Sequence, residues 1–244
     1  MRVRFGLTCI LAIVAVQLGS ANVPVQQPAG GRGAFIDRFL APDEPPLVSY
    51  RAFRRLTAST RGGQLRAAIE AWTTLDPVHG FRFEITLEEG SVIIRRKVLI
   101  AALEAEQMTV SKWDRAQSAL TPANYEFLGI SPENDRLVKM DVRPRRKHVM
   151  LVHGALFIDE DSADLVRLEG ELSQRPSIWT RRVHVVREYN RVGGVHVPVS
   201  MRSTADVLLV GSSSFAMTYR YVEINGKPVI PVRNDTNVTK DKQD

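Results

Sequence analysis

Strict alternation of apolar and polar residues is the feature that most limits how this chain can fold. The clearest run is 81–88, which reads Phe-Arg-Phe-Glu-Ile-Thr-Leu-Glu. Similar alternation occurs at 64–71, 138–143, 195–202 and 215–221. A period of two is typical of a strand with one buried face and one solvated face. The sequence therefore predicts a mainly β (α+β) protein built from antiparallel strands.

One segment follows a helical period instead. Ser91 is a favourable N-cap residue, and the run from there to Met108 is rich in Ala, Leu and Glu. Ile94, Val98 and Ala105 fall on one stripe of such a helix, which is then expected to cover an apolar surface. A single curled sheet needs apolar cover on its concave side. We therefore predict a single large curved antiparallel sheet, an open half-barrel, with this main helix covering or plugging its concave side.

The N-terminus has the three zones of a secretory signal peptide. Arg2 and Arg4 precede an apolar stretch from Phe5 to Leu18, and small residues follow up to Ala21. The stretch is shorter than the roughly 20 apolar residues of a membrane span. We expect cleavage near Ala21 and a mature protein that works outside the cytoplasm. Retention of the segment as an uncleaved anchor is the alternative.

The remaining chain divides by composition. The expected organisation is a signal peptide at 1–21, a flexible leader at 22–34, one domain at 35–233 and a disordered tail at 234–244. Because Cys9 is the only cysteine and lies in the apolar stretch, the mature chain has no thiol. Disulfides, a cysteine nucleophile and a thiolate metal site are thereby excluded.

The charge balance is basic. Lys and Arg number 33 against 27 Asp and Glu, a net charge of +6, and loss of Arg2 and Arg4 leaves +4. A basic chain raises the question of nucleic acid, but export argues against such a partner. Acidic lipid headgroups or acidic protein surfaces are the better candidates.

The sequence offers little support for catalysis. The segment Leu151-Val152-His153-Gly154 is like the oxyanion-hole segment of α/β-hydrolases, but the Gly-x-Ser-x-Gly elbow which that family requires does not occur. His184 and His196 could meet across a hairpin that turns at 193–194, yet no histidine pair has metal-ligand spacing. We therefore expect no enzyme, no metal and no cofactor, with a hydrolase that uses His153 as a remaining alternative.

Several segments resemble a known family. They are Tyr-Arg-Ala-Phe-Arg-Arg-Leu at 50–56, Gly-Phe-Arg-Phe-Glu at 80–84, Glu-Gly-Ser at 89–91, Leu-Phe-Ile-Asp at 156–159, Arg-Leu-Glu-Gly at 167–170, Trp179, Tyr189, Gly193, Pro198, Thr-Tyr-Arg-Tyr at 218–221 and Ile-Asn-Gly at 224–226. Over roughly Phe35 to Val229 the chain resembles periplasmic outer-membrane lipoprotein-sorting proteins of the LolA/LolB-like fold, as a branch distinct from the lipoprotein carrier itself. The resemblance implies an open sheet around apolar space, plugged by a helix, that binds lipoprotein acyl chains and does no chemistry.

The leading interpretation is thus a non-enzymatic binding protein whose cavity holds acyl chains or another hydrophobic ligand. Apolar strand positions would line the cavity, as in most ligand pockets, although one sheet face must bury such residues in any case. The candidate ligand-binding residues are Ile69, Phe83, Ile85, Met140, Val199, Met201, Met217 and Tyr219. The candidate contacts to headgroups or a partner are Arg54, Arg55, Arg143, Arg145, Arg146 and Lys147.

A second interpretation keeps the fold and drops the ligand. In it the core is filled by side chains, and the protein is an interaction or envelope-sensor module. For either interpretation we expect a monomer, with inner- or outer-membrane envelope components as possible protein partners.

Overall fold

The structure, a computed structural model, describes residues 32–41, 44–109, 117–177, 180–208 and 211–230. The predicted signal peptide at 1–21 and tail at 234–244 lie outside these residues, as does most of the predicted leader. A first helix, α1, spans Arg32–Leu40 and so begins within the segment 22–34 that was expected to be flexible.

One antiparallel sheet of eleven strands forms the body of the molecule. The strands are β1 (Tyr50–Thr60), β2 (Leu65–Asp76), β3 (Gly80–Gly90), β4 (Tyr125–Pro132), β5 (Leu137–Pro144), β6 (Val152–Asp159), β7 (Leu165–Leu172), β8 (Thr180–Val192), β9 (Val195–Val207), β10 (Gly211–Ile224) and β11 (Lys227–Pro228).

The strand order is β3-β2-β1-β10-β9-β8-β7-β6-β5-β4, with β11 paired to β10. Most neighbours are consecutive in the chain, as expected of antiparallel hairpins. The exception is the pairing of β1 with β10, which joins an early strand to a late one. The sheet does not close, because β3 and β4 remain its two ends. The prediction of one large, open antiparallel sheet is confirmed.

The hairpin turn between β8 and β9 is formed by two glycines. Val192 pairs with Val195, so the loop holds only Gly193 and Gly194. Both have left-handed backbones, with φ of +59° and +83°. Two-residue hairpins of this type need positive φ at both positions, which glycine adopts without steric cost.

The predicted main helix is also confirmed. This helix, α2, begins as the α-helical segment Val92–Ile94, continues as the π-helical segment Arg95–Ile100 and ends as the α-helix Ala101–Thr109. Ser91 is at the N-cap position, and its carbonyl accepts the first backbone bond from Arg95 at 3.0 Å. Leu99 and Leu103 of α2 are fully buried, so its apolar face packs on the sheet.

The two larger apolar cores of the described residues each lie under one of the two helices, α1 and α2. In the α2-side core, residues of α2 pack on inward residues of β1, β2 and β10, such as Leu56, Ile69 and Met217. In the α1-side core, Phe39 of α1 packs among residues of β4 to β7, including Met140. Each helix therefore covers one part of the sheet, and the ends of the strands near the start of α2 are left less filled.

Candidate ligand-binding cavity

A cavity of about 180 Å³ lies between the first turns of α2 and the adjacent ends of β1, β2, β9 and β10. Its lining is mostly apolar, with a few hydroxyl groups and two cations. The lining residues are Ala58, Ser59, Thr60, Arg61, Leu65, Ile93, Ile94, Lys97, Val98, Ser203, Ala205, Val207, Ser213, Ser214 and Phe215.

Small side chains at paired strand positions create this space. Ala58 pairs with Phe215, which in turn pairs with Ser203, so one row across three strands holds a single large side chain. The next row brings Ser213 beside Ala205. Because cross-strand pairs project to the same face, these short side chains leave room opposite α2.

The mouth of the cavity exposes apolar surface to solvent. Ile93, in the first turn of α2, is 67% exposed, and Leu65, at the start of β2, is 36% exposed. Deeper in, Ile94 and Phe215 are buried. A path from exposed to buried apolar surface is what an entering hydrocarbon chain requires.

Two pairs of hydroxyl groups bridge β1 and β10 beside the cavity. The hydroxyl groups of Thr60 and Ser213, which are on the inward face, lie 2.8 Å apart. Those of Ser59 and Ser214 are separated by the same distance, but these two residues alternate with the buried Ala58 and Phe215, so their hydroxyl groups lie on the outer face. Because the hydroxyl groups of Thr60 and Ser213 already have partners, this part of the wall costs little to dehydrate.

A buried ion pair fixes the far end of α2. The Nη1 and Nη2 atoms of Arg54 donate to Oε2 and Oε1 of Glu106 at 2.6 and 3.0 Å, and Arg54 also donates to the Tyr50 hydroxyl. The guanidinium lies 4.6 Å from the ring centre of Tyr219 and 5.1 Å from that of Phe81. Burial alone would lower the pKa of Arg54, but the Glu106 carboxylate and the Tyr50 phenol outweigh it and raise that pKa well above its ordinary value.

None of the eight predicted ligand-binding residues lines this cavity. Five belong to the α2-side core, where Ile69 and Met217 are fully buried while Phe83, Ile85 and Tyr219 are partly buried. The other three lie elsewhere: Met140 is in the α1-side core, Met201 packs with Val183 and Val185, and Val199 lies half-buried at a β-bulge between β8 and β9.

The predicted basic contacts are not at the cavity either. Arg54 is 1% exposed, which corrects its expected role at the surface. Arg55 lies on the outer face, where it pairs with Glu70 at 2.5 Å.

The remaining basic candidates lie at the end of β5 and in the loop after it, far from the cavity in the strand order. Arg143 and Arg145 both pair with Glu126. Arg146 donates to the carbonyl oxygen of Gln117 at 2.8 Å. These arginines bind the loop after β5 to the segment around β4, and Lys147 follows them in that loop.

The pairing of β8 with β9 tests the suggested approach of His184 and His196. His184 pairs with Thr204, whereas His196 pairs with Arg191 beside the hairpin turn, so the two histidines do not meet and their suggested approach was wrong. His153 is exposed on β6. The adjacent Gly154 faces Gly170 of β7, where the close approach of the two backbones leaves no space for a Cβ atom. Strand packing thus accounts for this glycine.

Large apolar residues, which were the candidates from the sequence, do not predict this cavity. Those side chains fill space, whereas a cavity arises where inward strand positions hold small ones. The available signal was the combination of Ala58, Ser203, Ala205 and Ser213 at the ends of three long strands, opposite the first helical turn.

Over the residues that the structure describes, no helix combines the length and apolar character needed to span a bilayer. In those same residues, no three His, Cys, Asp or Glu side chains are placed to share a metal ion.

No family model matches the chain, and no curated protein matches it. Among solved structures, the chain is similar to a LolA superfamily protein from Nitrosomonas europaea, with 10% sequence identity and a TM-score of 0.37. The match covers 81% of this chain and 92% of that one. At this identity and TM-score the match carries no argument about the family or the ligand of this chain. The function therefore rests on the geometry of the cavity in this open antiparallel sheet.

Proposed function

We propose that this protein is a non-enzymatic, monomeric binding protein that holds an acyl chain, or a similar hydrophobic group, in the cavity beside the first turns of α2. The observation that carries the proposal is the cavity itself, with its volume of about 180 Å³, apolar lining and exposed apolar mouth. The signal-peptide pattern of the first residues supports work in the periplasm.

The size of the cavity suits part of a chain. An apolar cavity of about 150 Å³ in another protein stays dry and binds benzene. The cavity here therefore has room for a short stretch of hydrocarbon, and the rest of a longer chain would extend over Ile93 and Leu65 at the mouth. Each buried CH₂ group contributes about 0.8 kcal/mol, so affinity should rise roughly four-fold per carbon until the space is filled.

The test is a binding series with straight-chain alcohols of increasing length, using the full mature protein. Ala205→Leu places an isobutyl group in the cavity and is expected to weaken binding at least ten-fold. Ala216→Leu is the matched control, because Ala216 follows the buried Phe215 on β10 and points to the outer face. Absence of binding at every chain length, or equal affinities for the two variants, would overturn the proposal.

A second candidate is a protein-interaction module without a ligand. It is favoured by the dense packing of the two cores, in which Met140 and Met217 are fully buried by side chains. This candidate predicts no uptake of alkyl chains, so the same binding series separates the two. Envelope proteins of the inner or outer membrane are the partners we propose in that case.

A further inference from the structure

The two cations at the cavity wall point to a charge requirement in the ligand. Arg61 lies in the turn between β1 and β2, and Lys97 lies in the π-helical segment of α2. Both side chains are exposed, and both contribute to the cavity lining. No Asp or Glu is among the described residues of that lining.

Arg61 and Lys97 differ from some nearby cations whose charges are paired within the fold. Arg95, two residues before Lys97, pairs with Glu88 at 2.6 Å, and Arg55 of β1 pairs with Glu70. Within the described ranges of the chain, neither Arg61 nor Lys97 forms an ion pair with a carboxylate.

The backbone of Arg61 has a costly conformation for a residue with a side chain. Its φ is +54°, in the left-handed region that glycine and asparagine enter most easily. The turn is closed by backbone bonds from Gly63 to Thr60 and from Gln64 to Arg61. An arginine held there, beside glycines that would adopt the same φ freely, places a guanidinium at the mouth of an apolar cavity.

From this arrangement we infer that the ligand is a single-chain amphiphile with an anionic head group, a carboxylate or a phosphate, which Arg61 and Lys97 hold at the mouth while the chain enters the cavity. Guanidinium and ammonium groups form strong, charge-assisted hydrogen bonds with both anions. The inference rests on the proposed function, since the head group has no place unless the chain is bound.

The experiment compares three ligands with the same chain: dodecanoate, dodecanol and dodecyltrimethylammonium, at monomeric concentrations and low salt. We expect dodecanoate to bind at least ten-fold more tightly than dodecanol, and the cationic ligand to bind more weakly than either. Dodecyl phosphate in place of dodecanoate shows which anion is preferred, and a preference for either one supports the inference.

Variants locate the effect. Arg61→Asn keeps a residue suited to positive φ, and Lys97→Gln keeps the helix; the double variant should lose the preference for dodecanoate and retain its affinity for dodecanol. Retained affinity for dodecanol also shows that the variant is folded. Arg96→Gln is the matched control, because Arg96 is an exposed cation next to Lys97 that does not line the cavity.

The possible failures are distinguishable. If no ligand binds, the proposed function itself is wrong. Equal affinity for dodecanol and dodecanoate would overturn only the anionic head group and leave the apolar cavity as the binding site. A loss of preference in Arg96→Gln as large as that in Lys97→Gln would trace the effect to overall positive charge, and would also overturn the inference.

Discussion

Glu106→Gln is expected to lower the free energy of unfolding by about 3–5 kcal/mol, the usual cost of leaving one charge of a buried ion pair without its partner. The Arg54 and Glu106 side chains are only 2% and 6% exposed, so water cannot replace the lost carboxylate. Arg54 meets Glu106 through two donors, at 2.6 and 3.0 Å, and is otherwise surrounded by the rings of Tyr50, Phe81 and Tyr219. These rings offer a favourable contact to the cation but do not neutralise it.

Arg55, which follows Arg54 in β1, provides the control. Arg55 pairs with Glu70 at 2.5 Å, but on the outer face, where the two side chains are 50% and 23% exposed. Exposed pairs contribute about 0–1 kcal/mol because solvent screens both charges. Arg55→Gln should therefore have little effect, although it too leaves one charge of an ion pair without its partner.

Urea unfolding measures both effects. With a slope of about 2 kcal/mol/M, the loss in Glu106→Gln corresponds to a midpoint lower by about 1.5–2.5 M, and the loss in Arg55→Gln to one lower by at most about 0.5 M. The double variant Arg54→Leu with Glu106→Leu should be more stable than either single variant, since it removes both buried charges. Equal midpoints for Glu106→Gln and Arg55→Gln would refute the reasoning, because burial would then not set the cost.

Three further changes test the strands and turns. Gly154→Ala should lower the free energy of unfolding by about 1–3 kcal/mol, because the new Cβ would overlap the backbone of β7. In the control Gly129→Ala the new Cβ meets only Asp141 at 3.6 Å, so the free energy of unfolding should change by less than about 1 kcal/mol. Urea midpoints compare the two variants. Asp76→Asn should destabilise the protein clearly at pH 7 and much less at pH 2. Hydrogen bonds from the backbone N–H of His79, followed by that of Val78, lower the pKa of Asp76 from 3.8 to about 2. The contribution of Asp76 is therefore fully present above about pH 4 and is lost as the pH falls through about 2. Thermal unfolding of the variant and the parent protein at both pH values measures this, and an equal difference at the two would contradict the reasoning. Asn225→Gly tolerates the φ of +50° but loses the amide oxygen that accepts the backbone N–H groups of Val48 and Ser49, so a cost of about 1–3 kcal/mol is expected in the same unfolding assay, and a cost near zero would contradict it.

Five of the strands, β2, β3, β5, β9 and β10, could be predicted because each carries its own periodic signal. Phe81, Phe83, Ile85 and Leu87 alternate in the sequence, and β3 forms where they do. How deeply each is buried could not be predicted, since Phe81 is 2% exposed and Leu87 is 36% exposed. The difference depends on where α2 lies over an end strand of the sheet, which is a property of packing between distant segments.

The alternation in β1 indicates that Arg54 faces inward, although Arg54 was predicted to contact a headgroup or a partner at the surface. It alternates with Ala52 and Leu56, both fully buried, so its position in β1 faces inward. An arginine is normally exposed, whereas Arg54 is only 1% exposed. Burial of the charge depends on Glu106, which is 52 residues away in the chain, and no strand or helix period relates the two.

The cavity is harder to predict than the strands or the burial of Arg54, because its volume is a difference between two quantities. One is the space that the curved sheet and α2 enclose, and the other is the volume of the side chains that point into it. The sequence specifies the second, through Ala58, Ser203, Ala205 and Ser213, but the distance of α2 from the strand ends depends on its packing along the whole length, including the Arg54–Glu106 pair at its far end. Small inward residues next to a helix are therefore a necessary sign of a cavity and not a sufficient one, since a helix that packed closer would have closed the space.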